Sequence, residues 1–459
     1  MEPTGIQSDM LASILRTLED DRLDPDRASA TGAGSLPSAF LVTDLAVACF
    51  NAVGLSVSSL LELLFGLKPN VKTDRLLASA WYHSTIRPID WKLDSPWDPL
   101  SGNYRTADGW IRLHTNLASH RTAAMSVLGT KPNRQDVANE VSGWHSEELE
   151  LAIIASGGCA AKMRTISEWS SHAQGSWLAD QPLILRDRSG QRNNLSHWQP
   201  STSLPLQGLR VLDLTRVLAG PVCTRMLAGF GAEVLRIDPP GWDEAGVLQE
   251  VNLGKRRSTL DLSSPNDLLR FEELLSSADL LVSGLRPGAL PSLGLDSETI
   301  ATLNPGLIWI SLSAYGPSGP WSERRGFDSL VQMSTGIADY QMRIANSPDP
   351  VPLPVQALDH ATGYLMAAES ICALNDLLET GLARRSRLSL AKTAELLLRY
   401  RMAQFKGDLN PQDADVSPQI EKTSWGDARR LLPPVQVEGV NLGWNIPSGK
   451  SGEHSASWS

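Results

Sequence analysis

Cysteine is scarce in this chain, which has only four in 459 residues: Cys49, Cys159, Cys223 and Cys372. They lie far apart, with neither a Cys-x-x-Cys pair nor a histidine at the spacing of a zinc site. The pattern argues against a disulfide-rich secreted domain and against a zinc site. We therefore expect four buried thiols in a reducing compartment.

Positive charge is also in deficit, with 41 Lys and Arg against 51 Asp and Glu and a formal net charge of −10. This balance argues against non-specific binding to nucleic acid or to an anionic membrane, although it leaves room for a local basic pocket. The acidic start, MEPTGIQSDMLASILRTLEDDRLD, lacks the basic and apolar regions of a secretory signal. No uninterrupted apolar run approaches membrane-spanning length. We expect a cytoplasmic protein that binds neither nucleic acid nor membrane.

Composition is otherwise that of an ordinary folded protein, with 42% hydrophobic and 20% charged residues, and the length suits two or three domains. Residues 1–40 predict a short helix and a linker. Residues 41–200 indicate a smaller α+β domain with a leading buried helix and a hairpin that turns at Asp108-Gly109. Residues 405–459 form a polar tail rich in Pro, Gly and Ser, which we expect to be extended or partly disordered.

Between residues 201 and 404 short apolar strands alternate with helices, beginning with GLRVLDLT, AGPVCTRMLAGFGA and EVLRIDPP. Such alternation predicts a doubly wound, parallel, Rossmann-like sheet, so the fold class is α/β with a smaller α+β domain. A Gly- and Pro-rich loop follows the strand LIWISLS. That loop is expected at the carboxyl end of the sheet, where open α/β folds place ligands.

The first strand–turn–helix of this sheet lacks the GxGxxG of a dinucleotide-binding fold, because its turn reads RVLAGP. Arg216 and the free amides of a helix that begins near Ala219 and Gly220 could together hold a phosphate. A structural turn with Arg216 on the surface is an equally good interpretation. The turn alone does not decide between them.

A basic cluster follows in NLGKRRSTLDL, where Lys255, Arg256 and Arg257 are consecutive. On a strand only some of these side chains can point the same way. A solvated basic turn is the plainer interpretation of the cluster, and contact with an anionic ligand is the alternative.

The stretch ALDHATG places Asp359 beside His360 at the start of an apolar helix, after the Pro-rich approach PDPVPLP. An aspartate in this position is usually a helix cap. The alternative is a nucleophile that free helix amides and the helix dipole keep ionised. His360 is expected to shape the pocket or to lie in the core, rather than to act as a base.

Several of the motifs occur together and in order: LRVLDLTRVLAGP, GAEVLRIDPP, LGKRRSTLDL, GLRPGALPSLGL, LNPGLIWISLSAYGPSGP and RGFDSLVQ. In this combination the chain resembles the family III CoA-transferases (the CaiB/BaiF group), which also include 2-methylacyl-CoA racemases. The resemblance is continuous over residues 206–400. Residues 99–175 are similar to the smaller domain of that family.

The resemblance implies an enzyme that moves CoA from an acyl-CoA thioester to a free carboxylic acid. Asp359 matches the aspartate that becomes acylated, through aspartyl anhydride and thioester intermediates. Arg216, Lys255, Arg256 and Arg325 become candidate contacts to the CoA phosphates, together with the amides at the start of the first helix. CoA would be substrate and product, so neither a permanently bound cofactor nor a metal is expected.

Two departures from the family pattern bear on the reaction. Phe327 stands in GFD where the racemase branch has GHD, and because Phe cannot move a proton, transfer is favoured over racemase or dehydratase-type chemistry. Leu218 stands where the formyl-CoA branch has Gln, so a formyl or oxalyl substrate is not supported. A degenerate, non-catalytic CoA-binding protein is the remaining alternative.

The order of the domains departs as well, because a segment like the smaller domain precedes the sheet. The residues around Asp44 also echo those around Asp359. A fused, duplicated ancestor with a trimmed first half would explain both features, and Asp44 would then be a relic, a cap or a pocket residue. The family implies an interlocked dimer. A homodimer or an intrachain pseudo-dimer is therefore expected.

Overall fold

A computed structural model describes residues 3–190, 195–244, 246–286 and 288–459. Residues 1–2 of the predicted N-terminal helix and 191–194 of the predicted smaller domain lie outside these ranges. The α-helices are α1 Pro3–Leu18, α2 Val42–Phe65, α3 Arg75–Trp81, α4 Ala118–Leu128, α5 Arg134–Ser142, α6 Ser146–Ala155, α7 Ile166–Ser171, α8 Ala173–Ala179, α9 Ala219–Gly229, α10 Leu248–Val251, α11 Pro265–Ser276, α12 Ser297–Leu303, α13 Asp328–Ser334, α14 Ile337–Ile344, α15 Ala357–Thr380 and α16 Leu390–Leu398.

The β-strands of the described residues are β1 Ala28–Thr31, β2 Ser38–Phe40, β3 Val71–Asp74, β4 Ile86–Pro88, β5 Gly102–Arg105, β6 Trp110–Leu113, β7 Ala160–Lys162, β8 Leu185–Ser189, β9 Arg210–Leu214, β10 Glu233–Asp238, β11 Lys255–Thr259, β12 Leu280–Ser283, β13 Ile308–Ser313, β14 Ala383–Ser389, β15 Arg401–Lys406, β16 Glu421–Thr423, β17 Gly426–Arg430 and β18 Val435–Val437.

The largest sheet has seven strands in the order β11-β10-β9-β12-β13-β14-β8. Its strands run parallel, except that β8 lies antiparallel to β14 at the edge. From β9 to β14 this is the order 3-2-1-4-5-6 of a doubly wound sheet. Strands such as β9 and β12 are almost wholly buried, as expected where helices cover both faces. The predicted α/β fold class is confirmed, and its topological switch point lies between β9 and β12.

The smaller α+β unit contains the antiparallel sheet β5-β6-β7. Its hairpin closes as predicted, with the Thr106 amide donating to the Gly109 carbonyl at 3.0 Å. The sheet shares an apolar cluster with α4, α5 and α6, formed by residues such as Ile111, Leu128 and Ile153. The unit therefore has a core of its own.

Helix α2 and strand β8 do not lie with the smaller unit, although residues 41–200 were grouped together above. α2 packs along α15 beside the large sheet, and β8 is the edge strand of that sheet. α2 is long and apolar enough to cross a membrane, but 83% of its most apolar window is buried inside the protein. Its apolar surface is therefore satisfied by the core, and the cytoplasmic location stays a prediction.

The polar tail is more ordered than its composition indicates. β15 pairs with β2, β17 with β4, and β18 with β3. Trp444 stacks on Trp81, with ring centroids 5.3 Å apart, and donates to the Arg225 carbonyl at 2.7 Å. The partners of these residues come from the first half of the chain, so composition within the tail could not reveal them.

Two parts of the chain repeat the same order of elements. α2 begins at Val42, ends before the left-handed Gly66, and is followed by β3, α3 and β4. α15 begins at Ala357, ends before the left-handed Gly381, and is followed by β14, α16 and β15. The start and the end of α15 are therefore offset by the same number of residues from the start and the end of α2. β3 also lies between a parallel β1 and an antiparallel β18, as β14 lies between β13 and β8. The repeat supports a duplication whose first sheet was trimmed.

Candidate active site

Asp359 is the third residue of α15 and is buried, with 7% of its surface exposed. It lines a cavity of about 420 Å³ where the loops after β9, β12 and β13 meet the start of α4 from the smaller unit. We call this space the basic cavity, because Arg216, Arg286, Arg324 and Arg325 form part of its wall. It lies at the switch point of the sheet, where ligands of open α/β folds bind.

The free amides at the start of α15 are taken by another carboxylate. Asp328 Oδ2 accepts from the amides of Leu358 at 2.8 Å and Asp359 at 3.1 Å, and Gln332 donates to its Oδ1. The expectation that these amides keep the Asp359 side chain ionised is therefore corrected. Asp328, the acid of the GFD motif, is expected from the sequence to be a structural acid near the pocket, but its bonds to the α15 amides depend on a contact that the sequence does not show.

Burial, and next to it the negative charge of Asp328, raises the pKa of Asp359 well above its usual range. The pKa of Asp328 is also raised by burial, and its hydrogen bonds from Gln332 and the two helix amides oppose that rise. Because Asp328 has these donors, we assign the negative charge of the pair to Asp328. Asp359 must then lose a proton before it can attack a substrate.

Helix α9 brings its N-terminus to the same place. Ala219 lines the basic cavity, and the first amides of a helix have no acceptor within it. A Cβ on Gly363, one turn after Asp359, would stand 2.4 Å from the Ala219 carbonyl oxygen. Only glycine allows this approach. Gly220 packs equally closely on Thr215, and contact of the Ala219 and Gly220 backbone with CoA stays a prediction.

Arg216 and Arg325 are held at the wall of the basic cavity. Arg216 lies 3.2 Å from Asp238 and stacks over Trp242 at 5.3 Å. Arg325 donates to the Gly157 carbonyl of the smaller unit. The structure brings both predicted arginines together with Asp359 and Ala219.

Two further arginines of the wall were missed. Arg286 is exposed and lies in the motif GLRPGALP, which carries the family resemblance but did not point to this residue as a CoA contact. Arg324 donates to Glu150 at 2.7 Å and stacks on Trp321 at 3.8 Å. Because Glu150 also binds Arg164 at 2.6 Å, this contact fixes the loop after β13 against the smaller unit. Glu150 thereby holds two walls of the cavity together.

The structure does not bring Lys255 and Arg256 to the cavity. Lys255 is fully buried and donates to Asp213 and to the Pro221 carbonyl, each at 2.9 Å. Burial lowers the pKa of Lys255 to about 8, against the opposing effect of Asp213. Arg256 lies on the edge strand β11 and donates to Ser459 at 2.7 Å. Alternation along the strand sends Lys255 into the core, which corrects their assignment as phosphate contacts.

A second space opens on the other side of Asp359. A pocket of about 40 Å³ touches Asp359 and continues, through shared walls at Trp97, His114 and Phe327, into one of about 260 Å³. We call the two together the aromatic chamber. His114 stacks on Phe327 with ring centroids 3.7 Å apart. Burial lowers the pKa of His114 to about 3, so its ring is neutral.

His360 faces away from both spaces. It is 1% exposed, stacks on Tyr82 with centroids 5.2 Å apart, and lines neither the basic cavity nor the aromatic chamber. Burial lowers the pKa of His360 to about 3. It is a neutral core histidine.

Asp44 occupies the matching third position of α2 but has a different environment. Its carboxylate lies 2.9 Å from Arg75, and both side chains are largely buried. Leu390 stands at the position of α16 that corresponds to Arg75 in α3. The duplicated aspartates therefore differ, because one is paired with a cation and the other lines a cavity.

Residues 206–425 match the family described as CoA-transferase family III. The match covers just under half of the chain. An acyl-CoA transferase from Gibberella moniliformis is 25% identical over 72% of this chain and 61% of its own length. The succinyl-CoA:glutarate CoA-transferase of Mus musculus is 33% identical over 51% of this chain and 54% of its own length. The chain thus spans between half and two thirds of these relatives.

Among solved structures, a CaiB/BaiF family protein from Brucella suis is 26% identical over 49% of this chain and 65% of that chain, with a TM-score of 0.38. The family is one of enzymes that handle acyl-CoA and carboxylic acids. CoA is accordingly a substrate or product of such enzymes. The family match covers the large sheet except its edge strand β8, together with Asp359 and the arginines of the basic cavity.

Proposed function

We propose that the chain transfers CoA from an acyl-CoA thioester to a free carboxylic acid, with Asp359 as the covalent nucleophile. The observation that carries the proposal is the position of Asp359, which lines both the basic cavity and the aromatic chamber. The family match of residues 206–425 supports the same activity.

The two spaces suit the two parts of an acyl-CoA. Arg216, Arg286 and Arg325 of the basic cavity match the phosphates of CoA, because guanidinium groups bind phosphate oxygens in a forked geometry. The aromatic chamber offers Trp97, Phe327 and the neutral ring of His114 to the acyl group. The thioester would then lie at the boundary, beside Asp359.

In the first step a deprotonated Asp359 oxygen attacks the thioester carbonyl carbon. The C–S bond breaks, CoA leaves as a thiolate, and a mixed anhydride between Asp359 and the acyl group remains. The thiolate then attacks the Asp359 carbonyl and releases the first acid, which leaves an aspartyl thioester. A second carboxylate attacks the carbonyl carbon of that thioester, the C–S bond breaks, and CoA thiolate leaves behind a second mixed anhydride. The thiolate then attacks the carbonyl carbon of the second acid, which forms the new acyl-CoA and releases Asp359 as a carboxylate. The free amides at the start of α9 are the candidate donors to each oxyanion.

Racemase or dehydratase-type chemistry has less support from this site. Such chemistry needs a group that removes a proton beside the carbonyl, and Phe327 cannot do so. His114 is stacked on Phe327, but burial lowers its pKa to about 3, which makes it a weak base. Transfer through Asp359 needs no group that removes a proton from the carbon beside the carbonyl.

The walls of the site come from two parts of the chain. Asp359 on α15 and Arg216 after β9 belong to the unit of the large sheet, whereas His114, Leu117 and His120 belong to the smaller unit that precedes it. We propose that this intrachain pairing replaces part of the interlocked dimer implied by the resemblance. One polypeptide would then carry one complete site.

CoA exchange tests the proposed function. The chain is incubated with an acyl-CoA and an isotope-labelled acid, and formation of the labelled acyl-CoA is followed. Asp359→Asn should still bind CoA with unchanged affinity but should form no labelled acyl-CoA. An Asn variant that keeps the wild-type rate would refute the nucleophile, and a wild-type chain that binds no CoA would refute the function.

A further inference from the structure

The aromatic chamber has apolar and neutral side chains in its wall beside several carboxylates. Trp97 and Phe327 face it together with Val217 and Val247, and His114 supplies a neutral imidazole. The Nδ1 atom of His114 is buried and has no hydrogen-bond partner among the described residues. With about 40 and about 260 Å³ in its two parts, the chamber lies at the lower end of the usual range for drug-sized ligands. It therefore fits a short acyl group.

The charged residues in the chamber wall are all acidic. Asp98, Asp243 and Glu244 line the larger pocket, Asp328 and Asp359 line the smaller one, and the described wall of neither contains Lys or Arg. Asp98 is paired with Arg121 at 2.9 Å, and Glu244 with Arg236 at 2.8 Å. Asp243 is exposed at the chamber and carries its charge toward solvent.

The nearby arginines are all engaged outside this wall. Arg121 and Arg236 are held by the carboxylates just named. Arg112 is not part of the wall: it lies 5.3 Å from the Trp97 ring and donates to Asn103, and its positive charge acts on Asp328 of the smaller pocket. The cations of the basic cavity lie on the other side of Asp359, where the phosphates of CoA would occupy them.

A second carboxylate on a short acyl group would therefore enter a space with no cation to receive it. It would lose part of its hydration against Trp97 and Phe327, and it would approach Asp243. An uncharged chain of the same length meets neither penalty. We infer that the acyl groups handled at Asp359 are short and uncharged, so that the enzyme takes monocarboxylic acids and discriminates against dicarboxylic acids.

The inference rests on the proposed function, because it concerns the acyl group whose thioester reaches Asp359. It separates this chain from relatives whose names contain two dicarboxylic acids, such as the succinyl-CoA:glutarate CoA-transferase of Mus musculus. Binding can be measured without any turnover. A failure of transfer and a failure of this inference therefore give different results.

The test compares the dissociation constants of butyryl-CoA and succinyl-CoA for the full chain by titration calorimetry. The two acyl groups have the same number of carbons and differ by one carboxylate. We expect butyryl-CoA to bind at least about tenfold more tightly, which corresponds to about 1.4 kcal/mol. Equal affinity, or tighter binding of succinyl-CoA, would overturn the inference. An absence of CoA exchange would count against transfer alone.

Asp243 offers a matched pair of variants on an exposed position. Asp243→Lys should reduce the preference for butyryl-CoA by about tenfold, because it places a cation where the second carboxylate arrives. Asp243→Asn should reduce it by about threefold, since it only removes the repulsion. If both variants keep the wild-type ratio, the chamber's charge does not select the acyl group and the inference is wrong.

Discussion

Replacing Arg75 by Gln is expected to lower the free energy of unfolding by about 3 kcal/mol while CoA transfer continues. Arg75 lies 2.9 Å from Asp44, and their side chains are 14% and 9% exposed. Without the guanidinium, the Asp44 carboxylate becomes a largely buried charge with no cation. The loss of such a partner costs about 3–5 kcal/mol. The position of Asp44 in the first turn of α2 returns about 0.3–1 kcal/mol through the helix dipole.

Removing the carboxylate of the pair should cost less stability than removing the guanidinium. In Asp44→Asn, Arg75 keeps its bonds to the Gly34 carbonyl at 3.2 and 3.0 Å and retains access to water. A loss of about 1 kcal/mol is expected, because one charge-assisted hydrogen bond is weakened. The double variant Asp44→Asn/Arg75→Gln should be more stable than the sum of the single losses predicts. The expected coupling energy is about 1–3 kcal/mol.

Urea unfolding of the four proteins measures this cycle, and CoA exchange is followed on the same samples. A coupling energy below about 0.5 kcal/mol would show that the pair does not stabilise α2. Complete loss of exchange in a folded Asp44→Asn variant would show that Asp44 takes part in the chemistry. Either result would contradict the assignment of a structural role to Asp44 and a chemical role to Asp359.

Three further changes test the site. Asp359 attacks as a carboxylate and its pKa is raised, so kcat/KM should begin to fall on acidification at a higher pH than is usual for an aspartate. Asp328→Asn should move this fall to lower pH. An unchanged pH profile in that variant would contradict the electrostatic coupling of the two aspartates. Arg286→Gln should weaken CoA binding by about tenfold in a titration, whereas Arg256→Gln, the control outside the cavity, should leave it unchanged. Gly363→Ala should destabilise the fold by about 1–3 kcal/mol and weaken CoA binding, because the new Cβ would meet the Ala219 carbonyl oxygen. Wild-type stability of this variant would show that α9 and α15 are not in close contact.

Features that depend on local pattern were predictable from the sequence. Strands and helices alternate from residue 206, and the observed parallel, doubly wound sheet is the one that this alternation predicts. Spaced motifs located Asp359 and Arg216, and the structure places both at the switch point. The repeat around Asp44 was visible because the helix starts, the helix ends and the strands after them keep the same spacing.

Features that depend on distant partners were not predictable. Lys255 sits in a basic triplet, but its partner Asp213 lies on another strand, so the sequence could not show that it is buried. Asp328 reaches the amides of α15 from a different helix, which reverses the expected effect on the charge of Asp359. The tail is ordered because its strands pair with β2, β3 and β4 from the opposite end of the chain.

Trapping with hydroxylamine tests the central claim most directly. The chain is incubated with butyryl-CoA and hydroxylamine, digested, and analysed by peptide mass spectrometry. An acyl-aspartyl anhydride or an aspartyl thioester at Asp359 would react to give a hydroxamate at that residue, dependent on the acyl-CoA. We predict this modification in the wild type and its absence in Asp359→Asn. CoA exchange in the wild type without any hydroxamate at Asp359 would contradict the account.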